Sequence, residues 1–158
     1  MGAGGESRNY LPPSKKDKQS LDCVHYAVAF IGDIIGLFYK INKEKIYMEN
    51  CIFCKIIAGD IPSPRLYEDD EMIIIRDIEP KAKLHYLCIP KTHFALLSEM
   101  DEARAEIVKH CFEKIPALAE TLGLQDGYRI IINQGENGGQ TVHHLHIHLL
   151  GGEVLGGF

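Results

Sequence analysis

The sequence predicts an α+β domain: a five-stranded antiparallel sheet with one main helix across one face. Three observations lead there. Short apolar runs between residues 65 and 90 are separated by turns too brief for a parallel crossover. One long segment of helical periodicity follows, from Ser98 to Gly123. After it, an apolar run at 128–134 and an alternating run at 143–150 flank the turn-rich stretch GENGGQ.

Residues 1–22 are polar, with Gly, Ser, Lys and the pair Pro12-Pro13, and read as a flexible tail. Residues 24–41 are strongly apolar but carry His25, Asp33 and two glycines. Their length is near that of a membrane span, yet a mid-span Asp is costly in lipid, so a packed extra element or a translated leader is the preferred reading. The character changes near Met48, itself a candidate start. Residues 1–47 are therefore expected to be an extension and 48–158 the domain.

Within the domain, RLYEDDEMIIIRDI gives two short strands around the acidic turn Glu68-Asp69-Asp70-Glu71. LHYLCIP, residues 84–90, is a buried strand stopped by Pro90. Ser98 followed by Asp101 signals a helix start. The run Ile107, Cys111, Ile115, Leu118, Leu122 continues it for about 25 residues, Gly123 caps it, and Pro116 predicts a kink or break. YRIIINQ, residues 128–134, is the fourth strand, GENGGQ a turn, and the histidine-rich segment the fifth.

A net charge of −5 argues against a protein held to nucleic acid by bulk electrostatics. Five scattered cysteines, an odd number, do not make a disulfide framework, which favours a reducing compartment such as the cytoplasm. Cys51-Ile-Phe-Cys54 is then open to redox, metal or purely structural readings. A redox pair usually opens a helix in a βαβ pattern, which is not evident here.

TVHHLHIHLL, residues 141–150, holds four of the eight histidines. In a strand, His144, His146 and His148 share one face about 7 Å apart, and Leu145, Ile147 and Leu149 face the core. That spacing is too wide for one ion to take all three, because metal–nitrogen bonds are about 2 Å. Acid–base or nucleophilic work suits imidazoles near neutral pH better. A half-exposed polar strand face is the bland alternative.

His144-Leu145-His146-Ile147-His148-Leu149-Leu150 resembles the alternating signature of the histidine triad family of nucleotide hydrolases and transferases. CIFCKIIAGDIPSPRLYEDD, IIIRDIEPKAKLHYLCIPKTHF and GYRIIINQGENGGQTVHHLHIHLLGG resemble its nucleotide-binding phosphoramidase branch over residues 49–152. The resemblance implies a homodimer with joined sheets, a purine nucleotide substrate such as an AMP conjugate, and His146 as nucleophile on the α-phosphorus. His148 would support the phosphate, and Thr141 would contact the phosphate or leaving group. Asn133 would contact phosphate and ribose, and the backbone of Gly138, Gly139 and Gln140 would approach the phosphate. Asp77 would take the ribose hydroxyls, as a carboxylate can accept both donors of a cis-diol. Ile52, Phe53, Ile56, Ile75 and Ile78 would line the base pocket, and with no polar selector in view, purine preference would be loose. Zinc-containing relatives imply a structural Zn²⁺ on Cys51, Cys54, His93 and His144; two free core thiols are the alternative for the cysteines. The sequence departs from the branch at His143, where a bulky residue is common, and at its ending EVLGGF, which lacks the usual Trp.

Overall fold

The computed structural model describes residues 48–157. The sheet contains β1 (Arg65–Glu68), β2 (Met72–Arg76), β3 (Leu84–Pro90), β4 (Tyr128–Ile131) and β5 (Ile147–Gly151). Their spatial order is β1-β2-β3-β5-β4, and every neighbouring pair is antiparallel. The five-stranded antiparallel sheet expected from the sequence is therefore present.

Strand alternation divides the buried residues between two faces. On one, Met72, Ile74, Tyr86, Cys88, Ile147 and Leu149 pack with Cys111 and Ile115 of a helix spanning Glu102–Leu118. On the other, Ile73, Ile75, Leu87 and Ile89 pack with Cys51, Phe53 and Ile56. Phe53 and Ile56 belong to a short helix, α1 (Ile52–Ala58), which the sequence reading did not predict. Seven residues are too few for apolar periodicity to show, and its end is marked only by Gly59, left-handed at φ 86°. The longer helix is α2.

Helix α2 starts later and ends earlier than expected. Leu97–Glu99 forms a separate 3-10 turn, and Met100 and Asp101 are extended. Asp101, not Ser98, is the N-cap: its carboxylate accepts from the Arg104 N–H at 2.8 Å. Pro116 sits in the last turn without breaking the helix, which stops two residues later at Leu118. Only one intrahelical bond is lost to a proline so near the end. Gly123 (φ 74°) then closes a run of turns rather than the helix itself.

Both C-terminal strands are shorter than predicted. β4 ends at Ile131, which pairs with His148, because β5 begins only at Ile147. Upstream, the His144 N–H bonds to the Val142 carbonyl at 2.8 Å and the Leu145 N–H to the Phe94 carbonyl at 2.6 Å. This segment therefore follows the loop after β3 instead of pairing with β4. Leu145, Ile147 and Leu149 are fully buried, as the alternation predicts. His144 and His146, however, precede the regular strand, and the expected even row of three imidazoles is broken at His144.

No helix among the described residues is long and apolar enough to cross a membrane. The apolar run at 24–41 and the polar tail at 1–22 lie outside the described residues.

The acidic turn between β1 and β2 is built around Asp69. Its carboxylate accepts from the N–H groups of Glu71 and Met72, from the Tyr67 hydroxyl at 2.9 Å, and pairs with His110 of α2 at 2.7 Å. Partial burial opposes ionisation, but these donors, His110 foremost, outweigh it and hold the carboxyl well below its ordinary range. A depressed folded pKa stabilises above the unfolded value and is lost as pH falls toward the folded one. Asp69→Ala should therefore cost about 1–2 kcal/mol at pH 7, measured by urea unfolding. The gap from the wild type should narrow below roughly pH 4.

Candidate active site and metal centre

Two clusters of side chains lie on the α1 side of the sheet, joined by the segment 144–148. The first gathers Cys51, the residue preceding α1; Cys54 within it; His93 after β3; and His144. His144 is fully buried, and its Nε2 lies 2.8 Å from the Pro90 carbonyl, which can only accept. Nε2 therefore carries the proton, and Nδ1 presents its lone pair to the cluster. Around that nitrogen stand His93 Nδ1 at 3.2 Å, Cys51 Sγ at 3.5 Å and Cys54 Sγ at 3.6 Å, with Cys54 Sγ 3.3 Å from His93 Nδ1.

These distances can be tested against a tetrahedral ion. Metal–nitrogen bonds of about 2.05 Å and metal–sulfur bonds of about 2.3 Å require N···N edges of about 3.3 Å and N···S edges of about 3.6 Å. The measured edges agree within about 0.3 Å. The four residues named from the sequence resemblance fit zinc, and the Pro90 carbonyl supplies the outer contact that fixes the His144 tautomer. Burial pushes both thiols up. The close contacts with the His144 and His93 imidazoles overcome this for Cys51, which falls to about 5, whereas the Cys51 charge adds to burial and holds Cys54 at about 12. The two thiols thus share one charge, and a dication would draw the second proton off.

The second cluster is built on neighbouring strands. His146 Nδ1 lies 2.6 Å from the His144 carbonyl. Nδ1 must donate there, leaving the lone pair on Nε2. Phe53 packs edge-on against this ring at 5.1 Å between centroids and against His144 at 5.9 Å. His148 follows at 4.9 Å from His146. His85 of β3 and Asp77 complete the group: His85 Nε2 is 2.9 Å from His148 Nδ1 and 3.4 Å from Asp77 Oδ2. Burial lowers the pKa of His146. Burial, with His146 and His85 alongside, lowers His148 to about 4. Both rings are neutral near pH 7.

The remaining predicted residues fall into four groups. Asn133 comes within 3.4 Å of His148 Nε2 and of the Gly139 carbonyl. Ile75 is buried in the α1 cluster and Ile52 is partly exposed, while Ile78 is 93% exposed and encloses nothing in the single chain. Thr141 is exposed. The expected phosphate cradle differs most. The N–H groups of Gly138, Gly139 and Gln140 are bonded within their own loop, to Gly135 and Glu136 carbonyls. The buried Gln140 side chain accepts from the Gly135 N–H and donates to the Ala95 carbonyl, so it braces the loop. His85 was missed from sequence. Its signal was a polar residue on the buried face of a strand whose alternation also places Leu87 and Ile89 there.

The chain's matches to known proteins agree with this geometry. The family model described as "Scavenger mRNA decapping enzyme C-term binding" matches residues 50–156. "Protein HitA" of Neisseria gonorrhoeae is 47% identical over 107 residues, covering 68% of this chain and all of that protein. A "14 kDa zinc-binding protein" of Zea mays is 45% identical over 66% of this chain and 83% of its own length. A solved "HIT family hydrolase" from Clostridium thermocellum superposes with a TM-score of 0.66 at 48% identity, covering 70% of this chain and 96% of its own.

Purified protein should carry about one zinc per chain. Cobalt in its place should give tetrahedral thiolate-to-metal absorption, and that absorption should vanish in Cys51→Ser/Cys54→Ser. Removing the metal with a chelator should lower Tm by several degrees, as expected when a folded-state ligand is withdrawn.

Proposed function

This chain belongs to the histidine triad family, and from that membership and the site geometry we propose that it is a purine nucleoside phosphoramidase, releasing AMP from adenosine 5′-phosphoramidates. The observation that carries the reading is the His146 Nε2 lone pair, fixed by the 2.6 Å bond from Nδ1 to the His144 carbonyl. A neutral imidazole in a buried site is a competent nucleophile near pH 7.

In the proposed reaction, His146 Nε2 attacks the α-phosphorus. A phosphorus–imidazole bond forms as the P–N bond to the leaving amine breaks, and the amine departs with a proton taken from solvent. Water then attacks the nucleotidyl–histidine, a P–O bond forms as the bond from phosphorus to His146 Nε2 breaks, one water proton returns to solvent, and neutral His146 and the nucleoside monophosphate are released. His148 and Asn133 steady the phosphate oxygens, and Thr141 serves the leaving group. Asp77 holds the ribose hydroxyls. Its Oδ1 already accepts from the Glu79 N–H at 2.8 Å, which anchors it without exhausting its acceptor capacity. Phe53, Ile52, Ile75 and Ile78 bound the base, with Ile78 covered once a nucleotide is in place.

Zinc on Cys51, Cys54, His93 and His144 has a structural role in this scheme, because all four positions are filled by protein and none is left for substrate. The homodimer would join two sheets into one. β4 lies at a sheet edge and pairs with β5 on one side, which suits that assembly. Residues 48–158 form the catalytic domain and 1–47 an extension to it. The free thiols of the described residues suit the cytoplasm.

The test is AMP release from adenosine 5′-phosphoramidate, with diadenosine tetraphosphate as competing substrate. His146→Ala should lower kcat at least ~10³-fold, as loss of a nucleophile does. Preference for the dinucleotide would move the protein to polyphosphate hydrolysis. AMP binding with no turnover of either substrate would make it a nucleotide-binding regulator.

A further inference from the structure

We propose that His85 is a positioning residue that holds His148 with its proton on Nε2, so that His148 meets the substrate phosphate as a hydrogen-bond donor. The phosphate in this statement rests on the nucleotide reading above. The tautomer does not.

The assignment follows from one group whose role is unambiguous. The Lys81 backbone N–H points at His85 Nδ1 at 3.1 Å. A backbone N–H can only donate, so Nδ1 accepts, and a neutral His85 carries its proton on Nε2. Two acceptors face that proton, His148 Nδ1 at 2.9 Å and Asp77 Oδ2 at 3.4 Å. The shorter contact goes to His148. Its Nδ1 then holds a lone pair, and its own proton sits on Nε2. Burial lowers the pKa of His85, with Lys81 also disfavouring charge and only Asp77 opposing, which is consistent with a neutral ring.

The Asn133 carboxamide nitrogen stands 3.4 Å from His148 Nε2. That distance is at the long limit for a hydrogen bond, and the same nitrogen donates to the Gly139 carbonyl, so this contact does not set the His148 tautomer. The surrounding loop is braced at both ends. Asp77 Oδ1 accepts from the Glu79 N–H at 2.8 Å, and Glu153 Oε1, beyond β5, accepts from the Lys83 N–H at 2.9 Å. Lys81 lies between these ties, so its N–H is held in place to orient His85.

The consequence is a division between adjacent rings. His146 has its proton on Nδ1 and its lone pair on Nε2. His148, 4.9 Å away, has the reverse. One neutral imidazole is thereby a nucleophile and its neighbour a donor. Without His85, nothing else described in the site supplies a donor to His148 Nδ1, because Asp77 Oδ2, 3.9 Å away, can only accept. That carboxylate would favour the wrong tautomer.

The test is nitrogen-15 NMR of imidazole-labelled protein at neutral pH, with kinetics beside it. In the wild type, His148 should show a protonated, pyrrole-type Nε2 and a pyridine-type Nδ1. His85→Leu should shift His148 toward the opposite tautomer and lower kcat about 10–100-fold with KM little changed, as loss of an orienting partner does. His85→Gln, which keeps a donor facing His148, should restore both the pattern and most of the rate. A wild-type His148 protonated on Nδ1, or a tautomer indifferent to residue 85, would overturn the proposal. The wild-type spectrum needs no variant to fold. Wild-type protein that shows the expected tautomers but releases no AMP would refute the phosphoramidase reading and leave the His85 assignment standing.

Discussion

The 2.6 Å hydrogen bond from His146 Nδ1 to the His144 carbonyl is the contact on which the site depends. It decides which nitrogen of His146 holds a lone pair, and it comes from a residue whose side chain is committed elsewhere. The His144 ring is held at one nitrogen by the Pro90 carbonyl and turns the other to Cys51, Cys54 and His93. One residue therefore ties the cysteine–histidine cluster to the proposed nucleophile: its side chain faces one and its backbone the other. Ligation of the ring would restrict the backbone at 144, and with it the direction of the carbonyl that His146 uses. In the proposed scheme, this is how a closed zinc site, with no position free for substrate, would matter to chemistry next to it.

The break in β5 is what makes this possible. A regular strand through 144–148 would have put the three rings in a row on one face and directed the His144 carbonyl into a sheet ladder. Instead, the Leu145 N–H bonds to Phe94, and the strand begins at Ile147. Freed from the ladder, the His144 carbonyl can accept from a side chain. The sheet still positions the rest: Asp77 follows β2, His85 lies on β3 and His148 on β5. The cross-strand pairing Leu87↔His148 and the Asp77 N–H bond to the His85 carbonyl set all three side by side.

Much of this was legible in the sequence because it rests on local pattern. Alternation correctly buried Leu145, Ile147 and Leu149, turn residues separated the strands, and the histidine signature carried the family. What the sequence hid depends on partners far along the chain. The start of β5 is decided by Phe94, about fifty residues upstream, and the end of β4 is decided in turn by where β5 begins. Helix α1 is too short to show a period and owes its place to burial of Phe53 and Ile56 against the sheet. The true N-cap of α2 was visible as Asp101, but the Ser98 signal three residues earlier competed with it and proved to mark a 3-10 turn. The glycine loop shows the limit of residue type as a guide. Three small or flexible residues suggest free N–H groups, and all three are already bonded within the turn.

The electrostatics of the histidine group also follow from burial rather than composition. His85, His146 and His148 lie close together, and three charged imidazoles there would repel one another strongly. Burial removes the conflict by keeping them neutral, as the lowered pKa values of all three show. Neutrality alone would leave their protons undirected. Direction comes from two groups that cannot change roles, the His144 carbonyl, which only accepts, and the Lys81 N–H, which only donates. Between these fixed ends the rings have little freedom to exchange tautomers. In the proposed reaction, an incoming phosphate would thus meet one lone pair and one donor without any side chain first having to gain or lose a proton.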